Sequence, residues 1–177
     1  MSILVYAENF NGSFKKATFE TLTYAKETAS KLGVSCIAVT VGDLNESASS
    51  LSTYGVEKII SISNQFDSCD NLGIATALAE VAKSEGTTTF ILSNSNSGKS
   101  IGPRIAVKLG ASFISNVVEV PSESSPLKVK KKAFSGKAFE EVESKIENCV
   151  LALSPNAFHV AENPNADCTL ESHTANV

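Results

Sequence analysis

The sequence has a single arginine, Arg104, among 177 residues. Lys plus Arg totals 15 against 19 for Asp plus Glu, a net charge of −4. Proteins that grip a phosphate backbone carry arginines and a positive surplus. This balance argues against nucleic-acid partners. The four cysteines, Cys36, Cys69, Cys149 and Cys168, form no C-x-x-C pair. That excludes the usual zinc and thioredoxin-like spacings. Cys36 and Cys149 lie in apolar runs, where a thiol acts as a small buried hydrophobe of a reducing compartment. The only histidines, His159 and His173, come late and have no neighbouring metal partners in sequence. A Ser–His pair for acyl transfer has nothing to build on. The N-terminus reads MSILVYAENF. It lacks the basic flank and cleavage site of a signal peptide. No stretch approaches the ~20 apolar residues of a membrane helix. A soluble, cytoplasmic protein without membrane insertion is expected.

What is present is an alternation of short apolar runs and helical patterns. Residues 3–6 are continuously apolar, as a strand covered on both faces would be. Phe19, Leu22, Ala25, Ala29 and Leu32 recur at helical spacing, and Gly33 follows as a C-terminal cap. Strands are expected at 34–41, 58–62 and 88–92. A short helix is expected at 45–54, and one face of a longer helix at Leu72, Ala75, Leu78, Ala79 and Ala82. A last helix is expected at 100–109, with Pro103 in its first turn. Strands separated by helices imply right-handed crossovers and a parallel sheet. The fold class is therefore α/β, a doubly wound, mostly parallel sheet of Rossmann-like or adenine nucleotide alpha hydrolase-like type.

After residue 115 the rhythm changes. Runs at 116–120, 127–134, 136–142 and 149–153 read as strands with no long helix between them. They form an antiparallel extension of the sheet. Lys128, Lys130 and Lys132 read as a solvated strand face. Residues 161–167 are polar and turn-rich, and read as a linker. The domain expected at 1–160 is thus followed by a linker over 161–177.

Two loops fall where open parallel sheets bind ligands, at the carboxyl ends of strands. They are residues 7–13 and 93–100. The second reads Ser93-Asn94-Ser95-Asn96-Ser97-Gly98-Lys99-Ser100. Its end mimics a P-loop, but the motif's first glycine falls on Ser93. Asn94, Ser97, Gly98, Lys99 and Ser100 remain weak candidates for an anion or nucleotide loop. The competing reading is that Ser and Asn cap a helix and turn the chain. Arg104 reads as a buried or interfacial structural residue. Glu8 and Glu20 have no acid–base partner in sequence and read as exposed, unpaired glutamates. No catalytic residue and no metal site is expected.

Several blocks carry a family resemblance. They are Ser2-Ile3-Leu4-Val5-Tyr6-Ala7-Glu8 with Leu22-Thr23-Tyr24-Ala25; Tyr54-Gly55-Val56-Glu57-Lys58-Ile59; Ser97-Gly98-Lys99-Ser100-Ile101-Gly102-Pro103-Arg104-Ile105-Ala106-Val107-Lys108-Leu109-Gly110 with Ile114-Ser115-Asn116-Val117; Phe134-Ser135-Gly136-Lys137-Ala138; and Pro155-Asn156-Ala157-Phe158. In this order they resemble the N-terminal domain of electron transfer flavoprotein alpha subunits. Ser154 stands where the family commonly has arginine, and lysines precede Phe134 where arginine is common. Lysine lacks the bidentate fork of arginine.

The resemblance implies an electron-transport flavoprotein, a heterodimer of alpha and beta subunits. Such a protein carries electrons from acyl-CoA dehydrogenases of fatty acid beta-oxidation to a quinone oxidoreductase. It implies a carrier rather than an enzyme, with FAD held mostly by a C-terminal domain. Nothing after Val160 resembles that domain's motifs, so no cofactor is expected on this chain alone, and 161–177 would lead into the missing part. Uncovered partner surfaces favour a homodimer of the isolated chain. The alternative is a stand-alone AMP- or ATP-binding α/β domain of universal stress protein type, using the two loops named above.

Overall fold

The computed structural model describes residues 2–45, 47–63, 66 and 70–175. Cys69 lies outside the described residues. The core is built from strands whose alternate side chains face opposite ways. In β1 (Ser2–Tyr6), Ile3 and Val5 face one core while Leu4 and Tyr6 face the other. All five residues are buried, which is why this strand reads as a continuous apolar run.

Five further strands, three α-helices and a 3-10 segment complete the first half. β2 (Asn9–Phe10) and β3 (Ser13–Phe14) form a small hairpin. α1 (Lys16–Leu32) ends on Gly33 at φ 67°, a left-handed cap that suits glycine. β4 (Ser35–Val41), the 3-10 segment Ala48–Tyr54, β5 (Lys58–Ile62), α2 (Asn71–Ser84), β6 (Thr87–Ser93) and α3 (Asn96–Leu109) follow. The second half comprises β7 (Ser112–Val117), β8 (Glu123–Ser124), β9 (Leu127–Ala133), β10 (Ala138–Glu143), β11 (Cys149–Leu153) and β12 (Thr169–His173).

The sheet order is β10-β9-β7-β11-β6-β1-β4-β5-β12, with β8 paired to β9. β1, β4, β5, β6, β7, β11 and β12 run parallel, and β9 and β10 are antiparallel. The mostly parallel sheet agrees with the sequence, but the antiparallel extension is smaller than expected: β8, β9 and β10 form it, while β7 and β11 join the parallel part. α1 and the 3-10 segment cover one face, and α2 and α3 cover the other. The chain winds outward from β1 through β4 and β5, then crosses to β6. That reversal beside β1 is the topological switch point.

Some expectations are corrected. α3 begins at Asn96 rather than residue 100, so Pro103 lies inside the helix. Pro103 gives up the bond its N–H would make to the Lys99 carbonyl, and Gly102 before it has no Cβ to meet the ring. A Cβ at Gly102 would also lie 2.6 Å from the Phe113 ring. Leu72 is 61% exposed rather than buried. β7 lies at Ser112–Val117, earlier than expected. Residues 161–168 are an extended connector, but they do not hang free. Asn163 N donates to Thr53 O at 2.7 Å and Asn165 N to Ser52 O at 3.0 Å. β12 then pairs with β5, as the sheet's outer strand.

Candidate functional site

The carboxyl ends of β1 and β6 meet at the switch point. The loop after β1 is strapped down by asparagines. Asn9 Nδ2 donates to Val41 O at 2.8 Å, and Asn45 N donates to Gly12 O at 2.9 Å. Gly12 sits at φ 80°, and a Cβ there would lie 2.8 Å from Asn45 Nδ2. Only glycine combines that backbone with that approach.

The connection after β6 is shorter than the sequence suggests. Ser93 still belongs to β6, and Ser97, Gly98, Lys99 and Ser100 already lie within α3. Ser95 is the cap: its Oγ accepts from Gly98 N at 2.9 Å, and its carbonyl accepts from Lys99 N at 2.9 Å. The small polar residues therefore serve a helix start. The same Ser95 Oγ donates to Glu8 Oε2 at 2.8 Å. α3 has no acidic residue in its first turn. Glu8, from the other loop, supplies the negative charge that a helix N-terminus favours.

Gly98 approaches β6 so closely that a Cβ would meet Ser93 O at 1.9 Å. Its glycine is demanded by packing inside the chain. Lys99 is exposed. Asn94 is buried, with its N donating to Leu153 O at 2.8 Å and its Nδ2 to Asn116 Oδ1 at 2.6 Å. Asn116 sits at φ 59°. Asn94 Oδ1 is buried without a hydrogen-bond partner among the described residues. The diphosphate of a dinucleotide does not fit this helix start. The Gly98 and Lys99 amides are taken by Ser95, and the Glu8 carboxylate would repel phosphate oxygens.

Two sequence expectations about glutamates are corrected. Glu8 is half-buried and bonded to Ser95. Glu20 is buried on α1, where its Oε2 accepts from Asn156 N at 2.9 Å and its Oε1 lies 3.1 Å from Lys16 Nζ. A buried carboxylate is retained when it is paired and hydrogen-bonded. It anchors the 155–158 turn, in which Asn156 sits at φ 56°. The same turn sets the Phe158 ring edge-on to Tyr24, with centroids 5.3 Å apart. Tyr24 Oη donates to Glu119 O at 3.1 Å.

Arg104 is exposed, not buried, and its Nη1 donates to Ser100 Oγ at 2.8 Å. Cys36 and Cys149 are buried free thiols, as expected. Burial pushes the Cys36 thiol up to about 12, helped by the Glu57 carboxylate and opposed by Lys26. Burial likewise pushes Cys149 up to about 12. Lys128 and Lys130 are ion-paired on one face of the hairpin, and Lys131 is ion-paired on the other. No group of three His, Cys, Asp or Glu among the described residues is placed to hold a metal. No helix among them is long and apolar enough to cross a membrane. A cleft of about 600 Å³ opens at the opposite, amino-terminal edge of the sheet, lined by Val34, Thr88, Pro126, Ser144 and Ile146. Neither candidate loop lines it.

The family model described as electron transfer flavoprotein domain matches residues 3–177. The chain is 28% identical over 140 residues to the electron transfer flavoprotein subunit alpha of Clostridium acetobutylicum, covering 76% of this chain and 41% of that protein. It is 26% identical over 162 residues to the protein of the same name from Bacillus subtilis, covering 90% and 49%. It is 21% identical over 173 residues to Protein FixB of Clostridium saccharobutylicum, covering 96% and 52%. The chain spans about half the length of these relatives.

Proposed function

The chain belongs to the electron transfer flavoprotein family, and from that premise we propose that it is the platform domain of an alpha subunit. In this reading it pairs with a beta subunit and supports the part of the protein that holds FAD. The complete heterodimer carries electrons from acyl-CoA dehydrogenase-type flavoenzymes to a quinone oxidoreductase. The chain acts as a carrier subunit in the cytoplasm and performs no reaction of its own. The connector 161–168 leads into β12, the outer strand of this domain's own sheet.

One observation carries this reading. The switch-point crevice, where a nucleotide-binding α/β domain would seat its ligand, is bridged by the Glu8–Ser95 hydrogen bond of 2.8 Å, which sets a carboxylate where a phosphate would need donors. The test is the purified chain itself. It should show no visible flavin absorbance, and titration with FAD, AMP or ATP should show no tight, saturable binding. A stoichiometric yellow cofactor would contradict the platform reading. Tight AMP or ATP binding would favour a nucleotide-binding domain of universal stress protein type.

A further inference from the structure

The platform role leaves the cleft at the amino-terminal edge of the sheet unused. It lies opposite the switch point and encloses about 600 Å³, within the size range of small-molecule sites. Its walls are apolar. Leu32 ends α1, Val34 leads into β4, Pro126 stands in the turn before β9, and Ile146 lies in the loop between β10 and β11.

Two features of the lining point to a ligand. The first is on the floor. Thr89 of β6 is 5% exposed, yet its hydroxyl bonds to no group among the described residues and is not sealed from the cleft. Buried polar groups find partners as a rule, so this hydroxyl is left for something that enters. The second is on the rim. Lys145 and Glu147 flank Ile146 and are exposed. Neither has an ion-pair partner among the described residues, and they do not pair with each other. The loop that carries them is held in place. Ser144 N donates to Leu127 O at 2.8 Å, and Ser144 Oγ donates to Ile146 O at 2.6 Å.

These features select a chemistry. A rim with one free cation and one free anion matches a molecule that carries both charges. A nucleotide would bring its phosphates beside Glu147. A fatty chain would leave Thr89 and both charges without partners. Apolar walls take a ring, and a hydroxyl on the floor takes a polar group at the ring's far edge. We propose that the cleft binds a free α-amino acid whose aromatic ring carries a polar group, an indole or a phenol. Its carboxylate meets Lys145 and its ammonium meets Glu147. Its ring lies between Val34, Pro126 and Ile146, and its N–H or O–H donates to Thr89 Oγ1. The inference goes beyond the platform role and does not depend on it.

The chain contains no tryptophan, so the emission of added L-tryptophan reports binding directly. That emission should shift to the blue and saturate as the chain is titrated in, with a Kd on the order of 1 mM or below. In a nitrogen-labelled chain, L-tryptophan should move the amide signals of residues 32–34, 88–89 and 144–147. Those of Glu8 and Ser95 should stay in place. Tryptamine lacks the carboxylate and indole-3-propionate lacks the ammonium; each should bind roughly fivefold more weakly. Lys145→Glu and Glu147→Lys should each weaken L-tryptophan by a similar factor, and the double exchange should recover part of the loss. Both positions are exposed, so these variants keep the fold. Thr89→Val should weaken L-tryptophan and leave L-phenylalanine, which has no polar edge, unchanged. No saturable change up to about 10 mM L-tryptophan overturns the site, and so do saturable signals that map outside the cleft. Equal binding of all three indoles, or of the wild type and both charge variants, overturns the amino acid as its ligand.

Discussion

Ser95 Oγ donates to Glu8 Oε2 at 2.8 Å and accepts from Gly98 N at 2.9 Å. One hydroxyl therefore caps α3 and ties it to the loop after β1. Ser95→Ala removes both bonds and leaves the half-buried carboxylate without its partner. Loss of such a cap costs about 1 kcal/mol, and the unpaired acceptor adds to it. We expect Ser95→Ala to lose roughly 1–3 kcal/mol in denaturant unfolding. Ser95→Thr keeps the hydroxyl and should retain most of the stability.

Gly98→Ala tests the sign of an effect. In an ordinary helix, glycine to alanine gains up to about 1 kcal/mol. Here the new Cβ would lie 1.9 Å from Ser93 O, and the backbone of β6 cannot yield cheaply. The expected outcome is a loss of more than about 2 kcal/mol, in the range of overpacking. A gain in unfolding free energy would contradict the close approach of α3 to β6.

How much of this was legible in the sequence depends on where each signal lives. β1 and β11 are buried on both faces, so the apolar runs at 3–6 and 149–153 announce them directly. β12 was hidden because it is an outer strand. Its residues alternate weakly, and Leu170 is 54% exposed. The start of α3 was hidden because Asn96, Ser97 and Ser100 resemble a loop. Their helix depends on the Ser95 cap and on a carboxylate from a different loop. Glu8–Ser95 and Glu20–Asn156 join residues far apart in sequence, and no local pattern marks such pairs. The position of β11 between β6 and β7 is likewise fixed by tertiary packing.

The two buried thiols give a pH dependence. Burial raises the folded values of Cys36 and Cys149 to about 12 from an ordinary 9.0. Below pH 9 both states keep the proton, and the full stability is present. Above it, the unfolded chain releases protons that the fold retains, so stability falls as pH rises. The slope is up to about 1.4 kcal/mol per pH unit for each thiol. Unfolding free energy measured at pH 8 and pH 10 should show the drop. In a Cys69→Ser background, a thiol reagent at pH 8 should label the part-exposed Cys168 first, and Cys36 and Cys149 only on unfolding.

The 155–158 turn depends on α1. Glu20→Ala would leave the Asn156 amide without its acceptor, at a cost of about 1–3 kcal/mol. Tyr24 and Phe158 pack edge-to-face. A double-mutant cycle with Tyr24→Leu and Phe158→Leu should return about 0.5–1.5 kcal/mol of coupling. Additive losses would show that the two rings do not support one another.

The central claim is that this domain serves by pairing with a beta subunit. Its most direct measurement is light scattering on a sizing column, with the chain and its organism's beta subunit mixed in equal amounts. The account predicts a single peak at the mass of one chain plus one beta subunit, without flavin colour contributed by this chain. Two separate peaks at the masses of the unmixed proteins would contradict it.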